Sequence, residues 1–456
     1  MALLRNDPGL RTALRQRRAR LAEHFLRPVV FWSGKALGRN YPANTYPFRA
    51  NSHFLYFAGL PLEDAAIRIE GGRLELYFDE GGATHALWHG ETPTRAQLAE
   101  AIGADDAYPL AELASHVAGA ATLPLIDARA QAHQAQMLGR PVALTGIDRD
   151  LAEAVIALRL IHDDAAVASV REAAATSVAA HRAAMAATPK ARRESEVRAA
   201  LEAVFTAADV APAYGSIVTV HGEVLHNEAY RNPLAPADLL LADAGAESSL
   251  GWASDVTRTW PVSGKFSPTQ RDIYAVVLQA HDWAIATMAP GVEYQEVHLT
   301  ACLTLAEGLV DLGILRGNPA DLVEADAHAL FFPHGIGHLL GLDVHDMEDL
   351  GDLAGYAPGR SRSPRFGLGY LRLNRPLAAG MITTIEPGFY QVPALLNDPG
   401  LRERYREMVD WERLARFADV RGIRIEDDVL VTERGTEVLT AALPTAPEAV
   451  EALVRG

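Results

Sequence analysis

The stretch LLLADAGAESSLGWASDVTRTW, residues 239–260, decides how this chain is read. Apolar residues lead into Asp243, Gly251 marks a turn, and a second β run carries Asp255. Two such runs joined by a short turn read as a hairpin that sets both carboxylates on one face. A carboxylate placed after four apolar residues is expensive to bury uncompensated. A divalent cation compensates it, and so does an arginine such as Arg258. The aspartate pair alone leaves both readings open.

Further along, FFPHGIGHLLGLDVHD at 331–346 holds His334, His338 and His345 among glycines and apolar residues. Neutral imidazole is a good ligand for first-row divalent metals, and three histidines in an apolar stretch are poorly explained as core filler. MITTIEPGFY at 381–390 ends a β run on Glu386 and stops it at Pro387-Gly388. In GIRIEDDVLVT at 422–432, Glu426 alternates with Ile423 and Ile425; the following Asp427 and Asp428 read as structural or solvated. Four carboxylates and one imidazole make an oxygen-rich donor set. It suits Mn²⁺, Co²⁺, Fe²⁺ or Zn²⁺ rather than a thiolate metal, and two cations relieve the repulsion among the acids.

Outward from this constellation the chain is ordinary. It has 456 residues, enough for two or three domains, with 49% hydrophobic and 22% charged residues. The formal charge of −16 argues against nucleic acid or an anionic membrane as partner. The single cysteine, Cys302, sits in an apolar helical stretch and reads as core; no intrachain disulfide can form, which suits a reducing compartment. The N-terminus lacks the continuous apolar segment of a secretory signal, and no apolar run is long enough to span a membrane. A cytoplasmic location is the expectation.

Residues 1–160 mix short β runs with helices: strands at 29–34 and 54–60, a hairpin over 66–78 turning at Gly71-Gly72, and helices at 94–102 and 108–118. Two Ala-rich helices span about 150–188 with a junction near 161–164, and another starts after Arg193. Beyond residue 214, paired β runs are interrupted by helices at about 268–288 and 294–313, and 351–368 reads as a long surface loop.

These motifs resemble the pita-bread metallopeptidases, the family of methionine aminopeptidase, aminopeptidase P and prolidase. The resemblance runs through most of residues 150–440. It implies that Asp243, Asp255, His338, Glu386 and Glu426 hold two metal ions, with Mn²⁺ expected first and Co²⁺, Zn²⁺ or Fe²⁺ as alternatives. The two aspartates stand twelve positions apart, one more than the family's usual interval, and the extra residue is expected in the turn around Ser248–Gly251. YPFRANSHFLYFAGL at 46–60 resembles the N-terminal signature of aminopeptidase P. The implied fold is α/β: a creatinase-like N-terminal domain over 1–160, then a pita-bread α+β catalytic domain over 161–456.

By the same resemblance, a dimetal-bridged hydroxide hydrolyses the Xaa-Pro bond of short peptides, with Glu386 as general base then acid and His345 or His334 stabilising the oxyanion. His226, Tyr214, Arg372 and Arg424 are the expected substrate residues. Arg424 is expected to hold Glu426 or the substrate, and Arg372 a terminal carboxylate. Arg372 and the insert between Glu386 and Glu426 resemble prolidase, so an Xaa-Pro dipeptidase is the leading expectation. An aminopeptidase P acting on longer peptides is the alternative, and a non-catalytic binding protein the next. A homodimer is expected. Trp88 is expected in the core, with a partner's site as the other possibility.

Overall fold

The computed structural model describes residues 8–456. The chain divides into two compact units. One runs to Ala166 and includes Asp349–Ala354; the other comprises Val167–Glu348 and Gly355–Gly456.

The first unit is built on a five-stranded sheet in the spatial order Asp106–Tyr108, Arg73–Tyr77, Ala66–Glu70, Val29–Trp32, Ala121–Thr122. The three inner strands pair antiparallel and the two edge strands join parallel. The hairpin turns where expected: Glu70 faces Arg73, and Gly71 and Gly72 both take positive φ, 58° and 84°. A two-residue turn with both central residues left-handed matches the twist of the strands it joins. Val30, Trp32, Ala66 and Tyr77 fill one face of the sheet, against Leu113, Val117 and Ala120.

Three expectations fail here. Residues 54–60 do not form a strand: Ser52–Ala58 is a helix, capped by the Asn51 side chain on the His53 N–H and ended by left-handed Gly59. All seven helical residues are buried, so no polar face marks the period. Tyr108 closes a strand, and only Leu110–Glu112 and Leu113–His116 are helical, in two short turns. Trp88 is not core; it is 76% exposed on the helix Ala83–His89.

In the second unit, Ile217–Thr219, Leu239–Asp243 and Thr257–Pro261 form a three-stranded antiparallel sheet with Leu239–Asp243 in the middle. Ile382–Ile385 pairs with Asp427–Thr432, and Gly388–Tyr390 with Gly422–Arg424. Single bridges at Thr257–Glu426 and Leu339–Thr383 join these ladders. The helices Pro268–Thr287 and Tyr294–Asp311 pack on each other, the first capped by Ser267 in a capping box. The stretch 351–368 is exposed over 358–362, but Tyr356 and Leu368 are buried and pin it down. No helix among the described residues is long and apolar enough to cross a membrane.

Candidate metal centre

Asp243 is the last residue of its strand, and Asp255 stands two residues before the partner strand begins. Between them the chain turns at Ser248–Gly251, where the Ser248 and Gly251 N–H groups donate to Trp252 and Ser248 carbonyls and Gly251 takes a φ of 88°. Below the turn the two arms meet backbone to backbone: a Cβ on Gly245 would lie 1.6 Å from the Ser254 carbonyl oxygen. Only glycine permits that approach. Both carboxylates end on the Tyr214 hydroxyl, which is 2.6 Å from Asp243 Oδ1 and also reaches Asp255.

His338 enters from the glycine-rich loop. A Cβ on Gly337 would lie 2.1 Å from the Thr384 carbonyl oxygen, so the loop is pressed against the strand leading to Glu386. The Thr384 and Glu386 N–H groups donate to His338 and Ile336. His338 Nδ1 is 3.0 Å from the Leu339 carbonyl, which leaves Nε2 as the nitrogen available to a metal. That Nε2 lies 3.3 Å from Asp255 Oδ2 and 3.6 Å from Glu386 Oε1. Glu426 is buried, its N–H on the Thr257 carbonyl at 3.0 Å and its Oε2 accepting from the Thr257 hydroxyl at 2.5 Å. Ligating atoms of Asp255, His338 and Glu426 all fall within 4.8 Å of one another, the one such group among the described residues. Glu386 borders it, and Asp243 joins it through Tyr214.

The donor chemistry fits divalent cations. Burial and the neighbouring acids push Glu426 well above the usual carboxylate range. Burial raises Asp243 despite Arg424, and lifts Glu386 to about 7 against His338 and Arg424. Burial alone would lower His338, but Asp255 and Glu386 raise it to about 9. Asp255 goes down, because His338 and Tyr214 outweigh its burial. Protons crowded onto acids and an imidazole in this way occupy the charge balance that cations take over.

All of these side chains face one cavity of about 570 Å³. His226, Tyr214, His334, His345, Arg372 and Arg424 line it too. His334 Nε2 is 2.9 Å from the Tyr390 hydroxyl, and burial with nearby Arg424 lowers its pKa to about 3, so it is neutral. His345 packs edge-on to His338, ring centroids 4.3 Å apart, and burial lowers its pKa as well. Arg424 does not hold Glu426 or stand free for substrate. It is 4% exposed and committed to Asp243, to the Thr257 hydroxyl at 3.0 Å and to Tyr390 at 3.0 Å. Arg372 pairs with Glu348.

The arginine offered as counter-charge for the hairpin, Arg258, lies beneath it instead. It donates to Asp427 at 2.8 Å and to the Glu426 carbonyl at 2.7 Å. Asp428 is equally buried and structural: it accepts from the Ser254 hydroxyl at 2.7 Å and the Asp255 N–H at 2.9 Å. Neither aspartate is solvated. Tyr390, Thr257, Thr384 and Glu348 were not singled out from the sequence. Tyr390 had a signal, lying four residues after Glu386 in the same motif; the threonines and Glu348 had none.

Residues 168–433 match metallopeptidase family M24, and residues 14–123 match the aminopeptidase P N-terminal domain. A probable Xaa-Pro aminopeptidase PEPP of Fusarium vanettenii is 33% identical over 90% of this chain and 87% of its own length. A second, from Colletotrichum graminicola, is also 33% identical, over 90% and 88%. Among solved structures, Escherichia coli aminopeptidase P with the inhibitor Pro-Leu superposes with a TM-score of 0.79 at 27% identity, covering 98% of both chains. Pseudomonas aeruginosa aminopeptidase PepP gives 0.78 at 30% identity over the same shares. With its aminopeptidase P-like N-terminal α/β domain and pita-bread catalytic domain, this chain belongs to metallopeptidase family M24.

Proposed function

We propose that this protein is a metal-dependent Xaa-Pro aminopeptidase, releasing the N-terminal residue from peptides with proline in second position. The observation that carries this reading is the convergence of Asp243, Asp255, His338, Glu386 and Glu426 on one cavity, in a chain whose relatives bear that name. The dipeptidase suggested by Arg372 and the C-terminal insert gives way to it, because the relatives at hand are called aminopeptidases.

Asp255, His338 and Glu426 would hold one cation, with Asp243 and Glu386 completing the set for a second. When bound, such cations supply Lewis-acid charge that makes water acidic and polarises a carbonyl. Glu386 is the ligand carboxylate with the most access to the cavity, 17% exposed against 11% or less for Asp243 and Asp255, so it is the group to take a proton from water and return it to the leaving nitrogen. His345 and His226 offer imidazole nitrogens to the developing oxyanion. His334 is oriented by Tyr390 and the Gly335 carbonyl, while burial and Arg424 disfavour its protonated form. Arg424 and Tyr214 fix Asp243 rather than touch substrate.

The test is a peptide panel. Chelator-treated protein should be inactive on Ala-Pro-Ala and recover with Mn²⁺, releasing alanine. Full activity in chelator would remove the metal, and a higher kcat/KM on Ala-Pro than on Ala-Pro-Ala would restore the dipeptidase.

A further inference from the structure

Arg372, in the cavity wall, belongs to an ion pair that takes no part in holding the candidate metal ligands. Nη1 of Arg372 donates to both carboxylate oxygens of Glu348, at 2.8 and 2.6 Å. Glu348 Oε2 also lies 3.5 Å from His345 Nδ1. Partial burial works against ionising Glu348, yet His345 and Arg372 hold its carboxyl down to about 2, so it is charged at any working pH. The turn that presents it is tight: Met347 takes a left-handed φ of 60°, and the Glu348 N–H donates to the His345 carbonyl at 3.3 Å. Both partners are about a third exposed, 36% and 37%, where an ion pair adds little to stability. Its effect is on the charge that Arg372 presents to the cavity.

A guanidinium in the wall of a peptide cavity is a receptor for a free carboxylate. An Xaa-Pro dipeptide brings such a carboxylate on its proline, whereas Xaa-Pro-Yaa brings a neutral amide at the same atom. At Arg372 the dipeptide's anion meets the carboxylate of Glu348 as well as the guanidinium, and the repulsion offsets much of the attraction. The amide is indifferent to both charges. We infer that Glu348 is a specificity-determining residue, whose pairing with Arg372 turns the cavity away from Xaa-Pro dipeptides and towards longer peptides. This rests on the aminopeptidase reading above and names the feature that sets its length preference.

The experiment compares kcat/KM on Ala-Pro and Ala-Pro-Ala for the Mn²⁺-loaded protein and for Glu348→Gln, which keeps the shape and removes the charge. The dipeptide-to-tripeptide ratio is expected to rise about tenfold, equivalent to about 1.4 kcal/mol, through a lower KM for the dipeptide. General damage to folding or catalysis cancels in the ratio. Glu348→Asp, which keeps the charge, should stay near the unsubstituted ratio. In Glu348→Gln with Arg372→Ala the gain should disappear, since the released arginine is what captures the carboxylate. An unchanged or lower ratio in Glu348→Gln, or a gain that survives without Arg372, overturns the inference. Absence of hydrolysis of both peptides by the unsubstituted protein would instead overturn the aminopeptidase reading itself.

Discussion

Arg424 is the fixed positive charge at the centre of the site, and it stands two residues before the candidate ligand Glu426. Buried beside Asp243, it compensates a carboxylate that cations would also compensate. Removing one member of a buried pair leaves the other uncompensated, at a cost of about 3 kcal/mol. Arg424→Ala should therefore destabilise the metal-free protein by about that much in urea denaturation. Saturating Mn²⁺ should recover a good part of the loss. Equal losses with and without metal would show that cation and arginine do not share Asp243. At this scale the sequence was generous with ligands and silent about their supports. Each ligand acid interrupts an apolar run and is costly to bury, so it stands out. Thr257 and Thr384 are small, uncharged and at home in any strand. Asp427 and Asp428 stand out too, but their partners Arg258 and Ser254 lie 169 and 174 positions away, which no local pattern reveals.

Among the elements, period was legible where one face met water and lost where none did. The long amphipathic helices and the Gly71-Gly72 hairpin followed their patterns; Ser52–Ala58, buried all round, did not. Strands as short as Ala121–Thr122 carry no period at all. The helix Tyr294–Asp311 has a further property that follows from burial. It carries His298, which burial lowers to about 4, and near it lies His328, which burial lowers to about 3 and whose ring nitrogens have no hydrogen-bond partner. In the unfolded chain both titrate near 6.5. Between pH 6.5 and about 4 the unfolded state therefore binds protons that the folded state refuses. Stability from these groups is full above pH 6.5 and drains away as the pH falls through that window. The Tm should drop between pH 6.5 and 4.5, and His298→Gln with His328→Leu should flatten that drop. A slope left intact by both substitutions would place the acid sensitivity elsewhere.

For the whole molecule, the presence of two compact units, each with its own core, has a thermodynamic signature. A ligand stabilises only what binds it, by an amount that grows with the logarithm of its concentration. All five candidate ligand residues belong to the unit formed by Val167–Glu348 and Gly355–Gly456. Calorimetry should resolve two transitions, and added Mn²⁺ should move one of them while the other stays put. A single transition that moves as one would mean the units unfold together. The division between an N-terminal α/β part and a catalytic part was visible in the sequence as a change from isolated short strands to Ala-rich helices. The excursion of Asp349–Ala354 into the first unit was not, because its membership depends on contacts with residues such as His53, far away in the chain. The turn at Ser248–Gly251 bears on the molecule in another way. The aspartates are positioned by strand pairing and by the Gly245 approach, not by the count of residues between them. Its tip, at exposed Ser249, is thus a place where the chain can be lengthened: a spectroscopic tag or an epitope grafted there would ride on the hairpin and leave the two aspartates where they are.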